Sequence, residues 1–125
     1  MLALDRQRRY YCYRGVADMR KGFDALSGLV RDEFAKDPLC GDIFIFFNRR
    51  KTQVKLLSWE QDGYAVYYKR LEKGTYELPK GDEKLISAEI LQCILSGISI
   101  EHIKHRKRYA HGVLNVQKQG KTSTG

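Results

Sequence analysis

The hydrophobic pattern between residues 43 and 70 predicts a β-sheet. Residues 43–47 (IFIFF) are apolar without interruption, which indicates a strand that is buried on both faces. Residues 54–59 and 64–70 are expected to form two further strands, and the Asp62-Gly63 pair between them is a strong hairpin signal. Because the connections are short, these neighbouring strands are expected to run antiparallel.

Shorter strands are predicted on either side of this run. Residues 9–14 (RYYCYR) have the aromatic alternation that is typical of a first strand. Residues 75–78 are expected to form a last strand, which Pro79 stops. The sequence therefore predicts an antiparallel β-meander of four to five strands.

Two segments have the periodicity of amphipathic helices. The first helix is expected to begin at Asp18, whose carboxylate can cap it, and to end before Asp37-Pro38. The second is expected to begin after Ser87 and to close at Gly97. Apolar residues recur at intervals of three or four along the first helix and line one side of the second: Met19, Phe23, Leu26, Val30 and Phe34, then Ile90, Leu91, Ile94, Leu95 and Ile98.

Together these elements predict an α+β fold, an antiparallel β-meander with two to three helices packed on one face. The third helix would be a short one that begins at Ser99. A chain of 125 residues is long enough for one domain and too short for two ordinary ones. We expect a single α+β domain over residues 1–108 and a basic, polar tail over residues 109–125.

The net charge of +8 lies at the two ends of the chain. Residues 1–14 contain four Arg against one Asp, residues 101–125 contain six Lys or Arg against one Glu, and the middle contains thirteen of each sign. This distribution favours an anionic partner such as nucleic acid over a membrane. The longest apolar run is five residues and no secretion signal precedes it, so a cytoplasmic location is expected.

The clearest candidate binding residues lie between the first two long strands. Arg49, Arg50 and Lys51 form a predicted hairpin tip with no acid nearby, and Lys55 follows on the next strand. Such a ribbon could contact phosphates, although it could also be a charged turn that only keeps one end of the sheet soluble.

Three further sets of cations complete the predicted nucleic-acid surface. One set lies at a strand end, where Glu72 is also available as an ion-pair partner. Another lies in the first turn of the first helix, where cations oppose the helix dipole. The third follows the second helix and could act as a phosphate-binding arm. In this order the residues are Lys69 and Arg70; Arg20 and Lys21; Lys104, Arg106, Lys107 and Arg108.

No catalytic centre, metal site or cofactor is predicted. Asp18, Asp24 and Asp32 are separated by six and eight residues, so they do not share one helix face. His102 and His105 would share a face, but a structural zinc site needs more ligands, commonly cysteines. Because no nucleophile or phosphate-loop motif is present, we expect a protein that is not an enzyme.

Three segments, in this order, carry a resemblance to a known family: residues 18–24 (DMRKGFD), 55–59 (KLLSW) and 62–74, which begins DGY and ends YKRLEKG. Over about residues 10–98 the chain resembles the transposition accessory proteins named TnpB, encoded by the second reading frame of insertion sequence 66 elements. The resemblance implies a role beside an element-encoded transposase, which would supply the chemistry.

Two functional hypotheses follow. The first is a non-catalytic accessory protein for transposition of an insertion sequence that binds nucleic acid through its basic patches, with DNA as the expected partner. The alternative is a protein-interaction adaptor that holds the transposase and does not itself bind DNA, which the neutral middle of the chain and its aromatic strands favour.

Overall fold

The computed structural model describes residues 4–97, which contain five strands and two helices. The predicted third helix, the predicted domain limit at residue 108 and the cluster of Lys104, Arg106, Lys107 and Arg108 lie outside the described residues. The elements in chain order are β1 (Tyr10–Cys12), α1 (Phe23–Phe34), β2 (Ile43–Phe47), β3 (Gln53–Trp59), β4 (Tyr64–Arg70), β5 (Leu85–Ile86) and α2 (Ala88–Ser96).

The sheet has the strand order β4-β3-β2-β1-β5. The two predicted hairpins, β2–β3 and β3–β4, are antiparallel. The α+β class is also confirmed, since residues 4–97 contain both a sheet and helices. The prediction of a purely antiparallel meander is wrong, because β1 lies parallel to β2, with Tyr10 opposite Ile43. The connection between these strands contains α1, and a crossover of this kind is what allows two successive strands to run in the same direction.

The last predicted strand, residues 75–78, is not a strand. Tyr76 instead anchors an irregular segment: its backbone N–H donates to the carbonyl of Lys51 at 2.7 Å, and its buried ring lies 5.5 Å from that of Phe47. The fifth strand is Leu85–Ile86, which pairs with β1.

The two helices cover opposite faces of the sheet. Successive residues of a strand point to opposite faces, so the wholly apolar β2 contributes to two cores. Ile45 lies in one core with Leu91 of α2, and Phe46 lies in the other with Leu26 of α1. The expectation that the helices pack on one face is therefore wrong, because each face of β2 needs its own cover.

Of the two described helices, only α2 has a side-chain cap at its N-terminus. Ser87 caps α2 as predicted, since its hydroxyl accepts from the N–H of Ile90 at 3.1 Å. Asp18 does not cap α1, which begins five residues later, at Phe23. The Asp18 carboxylate instead accepts from the N–H of Arg20 at 2.9 Å, and this hydrogen bond stabilises a turn before the helix.

Candidate nucleic-acid interface

A side-chain amide holds the turn between β2 and β3. The Oδ1 of Asn48 accepts from the backbone N–H of Thr52 at 2.9 Å, and its Nδ2 donates to the Thr52 hydroxyl at 3.1 Å. Lys51 adopts the left-handed conformation, with a φ of 59°. The turn therefore has a defined shape, and it presents Arg49 and Arg50 to solvent.

The register of β4 brings two more cations beside this turn. Arg70 lies opposite Gln53 and Lys69 lies opposite Val54, at the start of β3. The pairing continues past the strand, since the N–H of Leu71 donates to the Thr52 carbonyl at 2.8 Å. Neighbouring strands are about 4.8 Å apart, so five predicted cations share one end of the sheet. We call Arg49, Arg50, Lys51, Lys69 and Arg70 the cationic end.

Lys55 has a structural contact within the same region. Its Nζ donates to the backbone carbonyl of Lys21 at 2.8 Å and lies 4.9 Å from the centre of the Tyr68 ring. These contacts attach the backbone of Lys21, before α1, to the Lys55–Tyr68 pair of the sheet, which adjoins the Val54–Lys69 pair at the cationic end. The Lys55 ammonium therefore has one of its donors occupied by the protein itself.

The predicted cations differ in how far carboxylates neutralise them. Arg20 donates to both oxygens of Asp18, with an ion-pair distance of 2.7 Å, and this contact lowers the pKa of Asp18 to about 2. Arg70 lies 3.3 Å from Glu72, but both side chains are well exposed and such a pair is weak. Among residues 4–97, no carboxylate lies within ion-pair distance of the remaining four members of the cationic end, Arg49, Arg50, Lys51 and Lys69.

Tyr68 is a candidate contact residue that sequence reasoning missed. It alternates with Tyr64 and Val66 along β4, but α1 covers those two residues and leaves Tyr68 52% exposed. Its hydroxyl donates to the side-chain oxygen of Gln53. An exposed ring among cations can stack on a nucleic-acid base. The sequence signal was its position directly before Lys69.

Comparison with known proteins places the chain in a family. The sequence model of the IS66 Orf2-like proteins matches residues 8–105. The chain belongs to this family. The resemblance drawn from the three motifs is thereby confirmed, and the match includes every residue of the cationic end.

Two relatives come from Sinorhizobium fredii (strain NBRC 101917 / NGR234). The uncharacterised protein y4hO is 32% identical over 104 residues, which cover 82% of this chain and 90% of the relative. The uncharacterised protein y4jC is 30% identical over 91 residues, which cover 71% of this chain and 78% of the relative. No solved structure matches the chain.

Residues 4–97 contain neither a metal-site cluster nor a helix that could span a membrane. Within residues 4–97, no group of three or more His, Cys, Asp or Glu side chains has the arrangement of a metal site. Neither described helix is long and apolar enough to cross a membrane. His102 and His105, the histidines considered for a metal, lie outside the described residues.

Proposed function

We propose that this IS66 Orf2-like protein is a non-catalytic accessory in the transposition of an insertion sequence and binds nucleic acid through its cationic end. Family membership supports the role in transposition, beside an element-encoded transposase. The observation that carries the nucleic-acid contact is the β3–β4 register, which places Lys69 and Arg70 next to the turn of Arg49, Arg50 and Lys51.

The geometry of the cationic end suits phosphate contacts. Arg49 and Arg50 are exposed on a turn that Asn48 holds in shape, so little ordering of the backbone is needed on binding. Such cations position a protein on a nucleic acid without reading its sequence. Tyr68 adds a ring that can stack on an unpaired base. The cluster Lys104, Arg106, Lys107 and Arg108 would form a second contact along the chain.

The test is a titration of the full chain with labelled element-end DNA over a series of salt concentrations. Affinity should fall steeply with salt, because bound phosphates release their counterions. Changing Arg49, Arg50 and Lys51 together to Glu should weaken binding to all sequences by at least about tenfold and reduce the salt slope by about three, one for each lost phosphate contact.

A control variant with the same change in net charge distinguishes contacts made by the cationic end from the effect of the protein's overall charge. Arg9, Arg31 and Lys80 are exposed and lie outside the cationic end. Their joint change to Glu should weaken binding much less than the change at the turn. Binding that is indifferent to salt, or an equal loss in the two variants, would contradict the proposed surface.

The second candidate function is an adaptor that holds the transposase without touching DNA. It is favoured by the exposed ring of Phe23 on α1. Phe23 is 50% exposed and stacks on the half-buried Tyr64 at 6.4 Å, and the half-buried Trp59 lies 5.1 Å from Tyr64. Exposed aromatic residues of this kind are enriched in protein interfaces. This alternative would be supported if the protein co-purifies with the transposase after nuclease treatment and loses this association when Phe23 is changed. The isolated protein should also retain no DNA.

A further inference from the structure

β4 is a long strand at the edge of the sheet. Seven of its residues, Tyr64–Arg70, pair without a bulge against β3, and the strand contains no proline. Within residues 4–97 no strand pairs with its other side. An edge of this kind presents unpaired backbone N–H and C=O groups that can pair with another chain.

The hydrogen bonds at the two ends of β4 identify which backbone groups face outward. The N–H of Glu60 donates to the Gly63 carbonyl, and the N–H of Leu71 donates to the Thr52 carbonyl, each at 2.8 Å. Hydrogen-bonded pairs alternate along an antiparallel ladder, so residues 65, 67 and 69 also face β3. The backbone groups of Tyr64, Val66, Tyr68 and Arg70 are therefore directed to the open edge.

The devices that usually protect an edge strand are confined to one end of β4. Lys69 and Arg70 carry charge, whereas residues 64–68 carry none. A second β4 aligned in parallel would place these cations beside their own copies, where like charges repel. An antiparallel copy places them at opposite ends of the joined strands, so the charge pattern favours the antiparallel arrangement.

We propose that two copies of this chain pair antiparallel through their β4 edges, with the two-fold axis at Tyr67. Outward-facing residues must pair with outward-facing residues, and only this register uses all four. Tyr64 then pairs with the partner's Arg70, and Val66 pairs with the partner's Tyr68. About eight backbone hydrogen bonds form, two at each of the four pairs.

The side chains fit this register. Arg70 lies on the α1 face beside the partner's Tyr64, where a guanidinium can stack on the ring. On the other face, Lys69 lies opposite the partner's Ala65, so no like charges meet. The two five-stranded sheets become one sheet of ten strands. Pairing of the two β4 strands needs no nucleic acid and is therefore independent of the proposed function.

Sedimentation equilibrium of the full chain, without nucleic acid, tests the proposal. The expected mass is twice the chain mass of 14.5 kDa at high concentration, with reversible dissociation on dilution. A chain that stays monomeric at every concentration reached would overturn the proposal.

Charge substitutions at Ala65 test the register itself. Ala65 borders an open groove of about 490 Å³, so a longer side chain has room there. Ala65→Lys would place like charges opposite the partner's Lys69 and should raise the dimer dissociation constant by about three- to tenfold, since the contact occurs twice. Ala65→Glu should lower the constant by a similar factor. Equal effects of the two changes would overturn the register.

Replacing Val66 with proline tests whether the outward-facing backbone groups of β4 form hydrogen bonds to the partner strand. The N–H of Val66 faces the open edge, so Val66→Pro removes a donor to the partner and no hydrogen bond to β3. Val66→Ala, which keeps the N–H, is the matched control. We expect dissociation of the dimer with proline and a retained dimer with alanine, in variants whose circular dichroism shows the native fold. A proline variant that is folded and still dimeric would place the interface elsewhere.

Discussion

The charged groups of the predicted surface differ in their surroundings, as a comparison of Arg49, Lys55 and Arg20 shows. Arg49 is exposed on a turn and has no carboxylate partner among the described residues. Lys55 donates to a backbone carbonyl, and Arg20 is paired with Asp18. Because a paired or hydrogen-bonded cation must give up a contact to bind phosphate, Arg49 is the best placed of the three.

The ion pair of Asp18 predicts a pH effect. Hydrogen bonds from Arg20 lower the pKa of Asp18 from 3.8 to about 2. A depressed carboxyl pKa stabilises the fold above pH 3.8, and this contribution is lost as the pH falls through about 2. Arg20→Ala should return the pKa of Asp18 toward its ordinary value in a carboxyl-detected NMR titration. Lys21→Ala, the control, should change it much less, and equal shifts would contradict the assignment.

The cysteines are expected to differ in reactivity. Burial raises the pKa of Cys12 to about 11. Partial desolvation also raises the pKa of Cys40, but its thiol is exposed to a reagent, whereas that of Cys12 is buried. The thiolate is the reactive form, so iodoacetamide at about pH 8 should modify Cys40 in the native protein and Cys12 only after unfolding. Peptide mass spectrometry over time measures both rates. Modification of Cys12 as fast as Cys40 in the folded chain would be inconsistent with its place in the core.

At the scale of elements, the ends of the helices depend on backbone conformation. α2 ends at Gly97, which has a φ of 78°, a conformation that glycine adopts without strain. Gly28 lies inside α1, where a Cβ would meet nothing within 4 Å. One glycine is therefore required by its conformation, and the other is not.

The two glycines should respond in opposite directions to alanine. Gly28→Ala should raise the free energy of unfolding by about 0.5–1 kcal/mol, because alanine loses less backbone entropy in a helix. Gly97→Ala should lower it by about 1 kcal/mol, because alanine is strained in the left-handed region. Urea unfolding followed by circular dichroism gives both values. A loss at Gly28 would show that the helix surface is more crowded than the structure indicates.

At the scale of the molecule, β2 joins two cores. It is the central strand, all five of its residues are buried, and each face is covered by a different helix. The sheet is thus a middle layer between α1 and α2. The cationic end is formed where β2 leaves this layer and turns into β3.

The two-core arrangement predicts that both faces of β2 contribute to stability. Phe46→Ala and Phe47→Ala should each lower the free energy of unfolding by about 3–5 kcal/mol, because each removes a fully buried ring from a different core. Tyr68→Ala, at an exposed position, should lower it by less than about 1 kcal/mol. Chemical unfolding of the three variants provides the comparison. A large loss at only one phenylalanine would contradict the covering of both faces.

Local sequence patterns predicted the elements that depend on interactions between residues close together in the chain. Hydrophobic periodicity and turn chemistry act over a few residues. They therefore predicted the apolar strand of residues 43–47, the turn after Asn48 and the ends of α2 at Ser87 and Gly97. The same patterns identified Arg49, Arg50 and Lys51 as a cationic turn.

Only the tertiary structure decided how distant segments meet. Four features depend on which surfaces are buried together. They are the parallel pairing of β1 with β2, the placement of α1 and α2 on opposite faces, the contact of Lys55 with Lys21 and the exposure of Tyr68. Burial is a property of the packed molecule, whereas periodicity reports only that a segment has an apolar side. The sequence therefore specified the three long strands and the cations, whereas packing decided that Tyr76 lies in an irregular segment, that Leu85–Ile86 forms the fifth strand, and which cations and rings remain exposed to meet a ligand.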